Sequence, residues 1–347
     1  MDAKSVMAAI DMQNRPMKRS WTRLILALAC TLLATSCAVV SSKSKSEEEQ
    51  SLAGMTLEEV RVETHKTVRV DHQRPIIAIA LGGGGLRGYA HIGVLQALEE
   101  MGFDPDIVVG TSIGAIVGAS YAAGSAPDQL WQSAVDAKVY SLADFTMGGL
   151  GFVKGEALAR WVDSLVEGKP IERFPKRFAA VASDLDRSVP IVLMKGDAGQ
   201  AARASASIPG VFVPMRYQGG TLVDGGVTSV VPIRVARAMG ADIVVAVDIY
   251  CRGPRYPATS IMSTLLRVTQ AQSCLIAQSE LVEADVLIAP VVSPAGAQDA
   301  TGRERARQAG YDAAKSAVPQ LEALIEEGHH PAVRSARVEP IPNATPP

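Results

Sequence analysis

Apolar and polar positions along the chain fall into alternating blocks with two different periods. Ile76-Ile77-Ala78-Ile79-Ala80-Leu81 is apolar at every position, which predicts a strand buried on both faces, as in a parallel sheet covered by helices. Gly82 to Gly85 interrupt it. The spacing of Ile92, Leu95 and Leu98 then predicts a helix from about Tyr89 to Glu100, with Gly102 placed to stop it. Ile107-Val108-Val109 reads as a second strand, followed by Gly110-Thr111-Ser112-Ile113-Gly114 and a small-residue helix over 115–123. Further along, the pattern predicts a helix over 155–166, strands over 178–183 and 189–194, an amphipathic run over 233–239 and a strand over 243–248. A long helix over 261–283, a strand over 286–289 and a last helix over 303–327 complete it. Weak alternation over 60–70 predicts one more strand, at the sheet edge. Strand and helix blocks that alternate without a linker predict one large α/β domain.

Composition changes this picture little. Of 347 residues 48% are hydrophobic and only 5% aromatic, which suits a sheet rich in Ala, Val and Ile. A net charge of -2 and the lack of a basic face give no reason to expect nucleic acid. The four cysteines form no CxxC pair and no Cys/His cluster, so neither a metal site nor a cofactor is expected. Cys251 and Cys274 can pair if the protein is exported, or stay as two buried thiols.

The first forty residues carry a different signal. Arg15, Lys18, Arg19 and Arg23 precede an apolar run over 24–33 and then Ala34-Thr35-Ser36-Cys37. A basic region, a short apolar core and small residues before a cysteine predict a lipoprotein signal peptide over 1–36, with Cys37 lipidated. Ala34 stands where a leucine is usual, and an ordinary cleaved signal is the alternative. Residues 37–74 are expected to form a polar tether, 75–328 the enzyme-like domain and 329–347 a Pro-rich tail. The implied partner is a membrane, reached through the N-terminal lipid: the outer membrane, facing the periplasm, in a host with two membranes. Oligomeric state is open.

The candidate chemistry lies between the first two strands. Backbone N–H groups of a glycine loop at a helix start can hold an anion. Gly83, Gly85 and Gly88 also fit the GxGxxG dinucleotide fingerprint, but the next strand ends in Gly110-Thr111-Ser112 and lacks the acid that would hold a ribose. The other anion is the oxyanion of a tetrahedral acyl intermediate. Ser112, between Gly110 and Gly114 at a strand-to-helix junction, has the setting of a nucleophile elbow. Its base is harder to find. His329 and His330 lie beyond the last helix, His65 and His72 precede the first core strand, and His91 reads as a packed helix residue. Asp224 is better placed, at the end of an apolar run in the turn Asp224-Gly225-Gly226. Arg87 either braces the loop or meets an anionic head group. Asp184 and Asp186 read as turn formers.

Gly83-Gly84-Gly85-Leu86-Arg87-Gly88, then Gly110-Thr111-Ser112-Ile113-Gly114, then Asp224-Gly225-Gly226, together resemble the patatin-like phospholipase family, as does the segment 203–212. The likeness covers about 75–289. It implies a three-layer α/β/α fold with a mostly parallel central sheet, and a Ser–Asp dyad without histidine. Ser112 would be the nucleophile and Asp224 the proton acceptor, with oxyanion donors at Gly83, Gly84 and Gly85. Its implied substrate is a phospholipid or other acyl ester. Two other functions stay open: a general carboxylesterase or thioesterase on soluble esters, and a non-catalytic lipid-binding lipoprotein. Residues 141–155, with four glycines and several large apolar side chains, are expected either to form the mouth for an acyl chain, to touch a membrane, or to tuck over the core.

Overall fold

A computed structural model describes residues 52–67, 74–147, 149–296 and 298–326. The signal, Cys37 and the Pro-rich tail lie outside them. The folded body begins at Leu52, well before the boundary expected at Pro75.

Among the described residues nine strands form one sheet. They are β1 (Met55–Thr56), β2 (Ile77–Leu81), β3 (Ile107–Thr111), β4 (Arg177–Asp184), β5 (Val189–Leu193), β6 (Met215–Tyr217), β7 (Gly220–Asp224), β8 (Ile243–Val247) and β9 (Val286–Ile288). The order is β1-β5-β4-β3-β2-β8-β9. The run from β4 to β9 is parallel, whereas β1, β5, β6 and β7 pair antiparallel. The apolar run of β2 is buried at all five positions. Its two faces feed separate cores: Ile77, Ile79 and Leu81 on one side, Ala78 and Ala80 on the other. That is the three-layer α/β/α arrangement.

The main helices are α1 (Leu57–Thr67), α2 (Tyr89–Glu100), α3 (Ile113–Ala122), α4 (Pro127–Asp136), α5 (Glu156–Leu165), α6 (Ala198–Ser205), α7 (Ile233–Ala238), α8 (Ile261–Leu281) and α9 (Ala300–Glu326). Side chains of α2, α3, α5, α6 and α9 enter the first core, and those of α1, α7 and α8 enter the second.

The strand expected over 60–70 is instead α1. Its start carries a capping box that outweighs the weak alternation: Thr56 N–H donates to Glu59 Oε2 at 2.7 Å, and Glu59 N–H donates to Thr56 Oγ1 at 3.4 Å. The edge strand does exist, but upstream, where Met55–Thr56 pairs with β5.

One detail of the topology positions the site. β3 pairs with β4 only as far as Thr111 opposite Val181. β7 then takes over the same side of β4 from the opposite direction, with Asp224 opposite Ala182. The ends of β3 and β7 therefore meet head-on beside two consecutive residues of β4.

Candidate active site

Ser112 stands where β3 turns into α3. Its backbone is left-handed, with φ 55° and ψ -122°, a conformation that costs a non-glycine residue about 1–3 kcal/mol. The turn must be tight. A Cβ on Gly110 would lie 2.3 Å from Gly114 O, and one on Gly114 would lie 2.1 Å from Leu81 O. The strain is held by a residue that no sequence pattern had marked. Ser205, fully buried at the end of α6, accepts from Ser112 N–H at 2.8 Å and donates to Val181 O at 2.6 Å. The segment 203–212 had been noted for its family likeness, but a serine's role as a brace has no signature of its own. Ser205→Ala is expected to lower kcat roughly 10- to 100-fold with KM little changed if Ser112 is the nucleophile, because it loosens Ser112 without touching the cavity. Steady-state kinetics on a soluble ester checks this.

Ser112 Oγ donates to Asp224 Oδ2 at 2.6 Å. The carboxylate's other oxygen accepts from Gly226 N–H at 2.8 Å, and Asp224 N–H donates to Ser207 O at 2.8 Å. Gly225 lets this turn lie on β4, since a Cβ there would meet Val181 O at 2.1 Å. Burial raises the Asp224 pKa to about 6, more than the bonds from Ser112 and Gly226 lower it.

The glycine loop crosses over the serine. Gly83, Gly84, Gly85 and Ser112 line one small cleft. The expectation of three donors needs correction: Gly83 N–H is already committed to Val230 O at 2.8 Å, and Gly82 N–H to Val247 O at 2.9 Å. The N–H groups of Gly84 and Gly85 have no acceptor among the described residues. Gly85 takes φ 57°, which glycine adopts without strain. Gly88 lets α2 start against Ile113, whose Cγ1 would be 2.2 Å from a Cβ.

Arg87 is a brace. Fully buried, it donates to Val292 O at 3.2 Å and to Pro254 O at 2.8 Å, and its guanidinium sits 5.3 and 5.0 Å from the centres of the Tyr250 and Tyr256 rings. It is therefore closed off from any head group. His91 is packed, as expected. Its Nε2 lies 2.8 Å from Gly82 O, and burial drops its pKa to about 4, so the ring is neutral and donates there. Asp184 is a turn former, its Oδ1 accepting from Asp186 N–H and Arg187 N–H at 2.8 Å each. Asp186 caps nothing in the site. Cys251 and Cys274 form a disulfide with Cα atoms 5.3 Å apart, which ties the loop after β8 to α8. Among the described residues no group of three His, Cys, Asp or Glu side chains stands close enough to hold a metal ion.

Two cavities meet at Ser112. One, of about 330 Å³, is almost wholly apolar and lies among Ile92, Ile116, Val117, Leu158, Trp161 and Phe212. The other, of about 60 Å³, is bounded by Asp224, Tyr250, Tyr256 and Leu266. The arrangement offers a polarised hydroxyl, a carboxylate to take its proton, free N–H donors, and an apolar pocket leading away from the hydroxyl.

A serine strained onto a strand-to-helix turn in an α/β sheet has the geometry of a nucleophile elbow. Residues 79–237 match the patatin-like phospholipase family, and the domain belongs to that family. The chain is 37% identical over 177 residues to an uncharacterized NTE family protein of Mycobacterium tuberculosis, covering 50% of this chain and 49% of that one. It is 35% identical over 181 residues to patatin-like phospholipase domain-containing protein 6 of Homo sapiens, covering 50% of this chain and 13% of that one. The match thus spans about half the length of the mycobacterial relative and far less of the human one. Among solved structures the chain is similar to VipD from Legionella pneumophila, with 14% identity and a TM-score of 0.48 over 73% of this chain and 67% of that one.

Proposed function

We propose that this protein is a serine acyl hydrolase that cleaves lipid carboxylic esters by way of a Ser112–Asp224 dyad. The observation that carries it is the 2.6 Å bond from Ser112 Oγ to Asp224 Oδ2, set at the junction of an apolar cavity and a loop with unused N–H donors.

The chemistry follows from the geometry. Ser112 Oγ attacks the ester carbonyl carbon, and its proton passes to Asp224. Gly84 and Gly85 N–H groups hold the oxyanion that forms. As the intermediate collapses, Asp224 returns the proton to the departing alkoxide, leaving the acyl group on Ser112. Water then attacks the acyl-enzyme, giving its proton to Asp224, and the carboxylic acid leaves as Ser112 regains a proton. A carboxylate with its pKa near 6 is far better matched to this relay at neutral pH than an ordinary aspartate. No histidine is required, and His91 points elsewhere.

Lipid esters are favoured over soluble ones by the cavity, whose lining is apolar around the point where an acyl chain would leave Ser112. The test combines labelling with kinetics. The full chain is expected to react covalently with a fluorophosphonate probe at Ser112 and to hydrolyse long-chain phospholipid with higher kcat/KM than a short-chain nitrophenyl ester. Labelling with a preference for the short ester would select the soluble carboxylesterase or thioesterase. Absence of labelling in folded protein would select a non-catalytic lipid-binding protein.

The proposal extends to location: export, with lipidation of Cys37 and a membrane address. The Cys251–Cys274 disulfide supports it, since an oxidising compartment preserves such a bond. Cys37→Ala is expected to shift electrophoretic mobility and release the protein from the membrane fraction.

A further inference from the structure

The apolar cavity has a roof, and the roof is apolar on both sides. Residues 144–147 and 149–154 form the two arms of a short hairpin between α4 and α5. Phe145 pairs with Val153, Thr146 N–H donates to Phe152 O at 2.8 Å, and Lys154 N–H donates to Asp144 O at 3.0 Å. Its base is pinned twice. Val153 pairs with Phe212, and the Asp144 carboxylate accepts from Gly155 N–H at 2.6 Å and Ala157 N–H at 3.1 Å at the start of α5. The inward residues Leu142, Ala143 and Val153 line the cavity that contains Ser112. The outward residues are Phe145 at 73% exposure, Met147 at 99%, Leu150 at 73% and Phe152 at 62%, with Tyr140 beside them at 70%.

Four large apolar side chains on an eleven-residue hairpin are costly to leave in water, because covering each one contributes roughly 1.5–3 kcal/mol. Clustered exposure of this kind marks an interaction surface. Its place in the fold says what covers it. Neighbouring residues of one short segment form the wall of the cavity on one side and the exposed patch on the other, so whatever sits on the patch sits at the edge of the acyl site. A protein partner there would cover that edge, whereas a lipid surface would deliver the substrate to it. Exposed Lys154 stands at the base of the hairpin, which suits anionic head groups at the same surface. On the other side of Ser112, α8 adds Ile261 and Leu265, exposed on the helix whose Leu266 lines the smaller cavity.

From this geometry we infer that the 144–154 hairpin is a membrane-docking element that inserts Phe145, Met147, Leu150 and Phe152 into a lipid surface and sets the mouth of the acyl cavity against it. The inference deepens the lipid-ester reading and rests on it for its purpose, but its test does not depend on turnover.

The probe is fluorescence of full-length Met147→Trp in a Ser112→Ala background, mixed with phosphatidylcholine vesicles with or without phosphatidylglycerol and carrying brominated acyl chains. Emission is expected to shift to the blue and to be quenched, relative to the Ser112→Ala parent, more strongly when phosphatidylglycerol is present. In the active protein, Phe145→Ser/Met147→Ser/Leu150→Ser is expected to leave kcat/KM on a soluble nitrophenyl ester unchanged. On vesicle-borne phospholipid, kcat/KM should fall about tenfold or more. No quenching beyond the parent, or equal losses on both substrates, would overturn the inference. So would a dimer in solution that the triple substitution dissociates, since the patch would then belong to a second copy. Quenching without any hydrolysis by the wild type would uphold the docking element and reject the hydrolase.

Discussion

Asp224→Asn is expected to reduce ester hydrolysis by roughly 10³-fold or more, and to make the protein more stable at neutral pH at the same time. The first effect follows from the loss of the group that, in the proposed dyad, takes the Ser112 proton across 2.6 Å. The second follows from burial. Because the folded-state pKa of Asp224 is raised to about 6, the native protein binds a proton there that the unfolded chain has already lost. Stability from this group is complete at low pH and is lost as pH rises from near 4 to near 6. Holding the ionised form at pH 7 therefore costs on the order of 3 kcal/mol, and a neutral amide escapes that cost. Glu280 is pushed up to about 7 by burial and titrates in an overlapping window, so the comparison is between Asp224→Asn and wild type across pH rather than wild type alone. Melting curves at pH 4 and pH 7.5 check it: the two proteins should nearly converge at the lower pH and separate at the higher. In the active enzyme, kcat/KM should rise with pH about a midpoint near 6, because only the ionised carboxylate can act as base. A variant with normal activity would remove Asp224 from the mechanism. Ser112→Ala is expected to be as inactive, with its fold retained.

Gly114→Ala is expected to damage the fold itself. The added methyl carbon would sit 2.1 Å from Leu81 O and 2.6 Å from Leu81 C, both main-chain atoms of the central strand β2. Such a contact cannot be relieved by turning a side chain, so α3 must move off the sheet and the elbow must open. Losses of this kind fall at about 4 kcal/mol or more. Urea denaturation should show a sharply lowered midpoint or no cooperative transition. Where soluble protein is recovered, fluorophosphonate labelling at Ser112 should be much slower. A normal midpoint would mean that α3 and β2 are less tightly apposed than the structure has them.

Much of this protein can be read along the chain. β2 and β8 are apolar at every position and β3 at its first three, so their burial on both faces follows from composition alone. The helix bounds Tyr89–Glu100 follow from a three-residue apolar spacing and a terminal glycine. Ser112, Asp224 and the glycine loop were found as three separate local patterns, each at the end of a predicted strand. The error over 60–70 had a local cause too: Thr56 and Glu59 form a capping box that the weak alternation of valines obscured.

The sequence by itself determined which groups are present: a serine between glycines, a carboxylate in a glycine turn, a free-backbone loop, and no well-placed histidine. It did so because strand burial, turn chemistry and helix capping are set by residues close together in the chain. Only the tertiary structure decided how those groups divide the work. The head-on meeting of β3 and β7 along one side of β4 brings together residues 112 and 224. The commitment of Gly83 N–H to Val230 O leaves Gly84 and Gly85 as the free donors. Burial turns Arg87 into a brace and lifts the Asp224 pKa, while Ser205 holds the strained serine in place. Each of these is a contact between segments far apart in sequence, or a consequence of being taken out of water, and neither leaves a mark in local sequence.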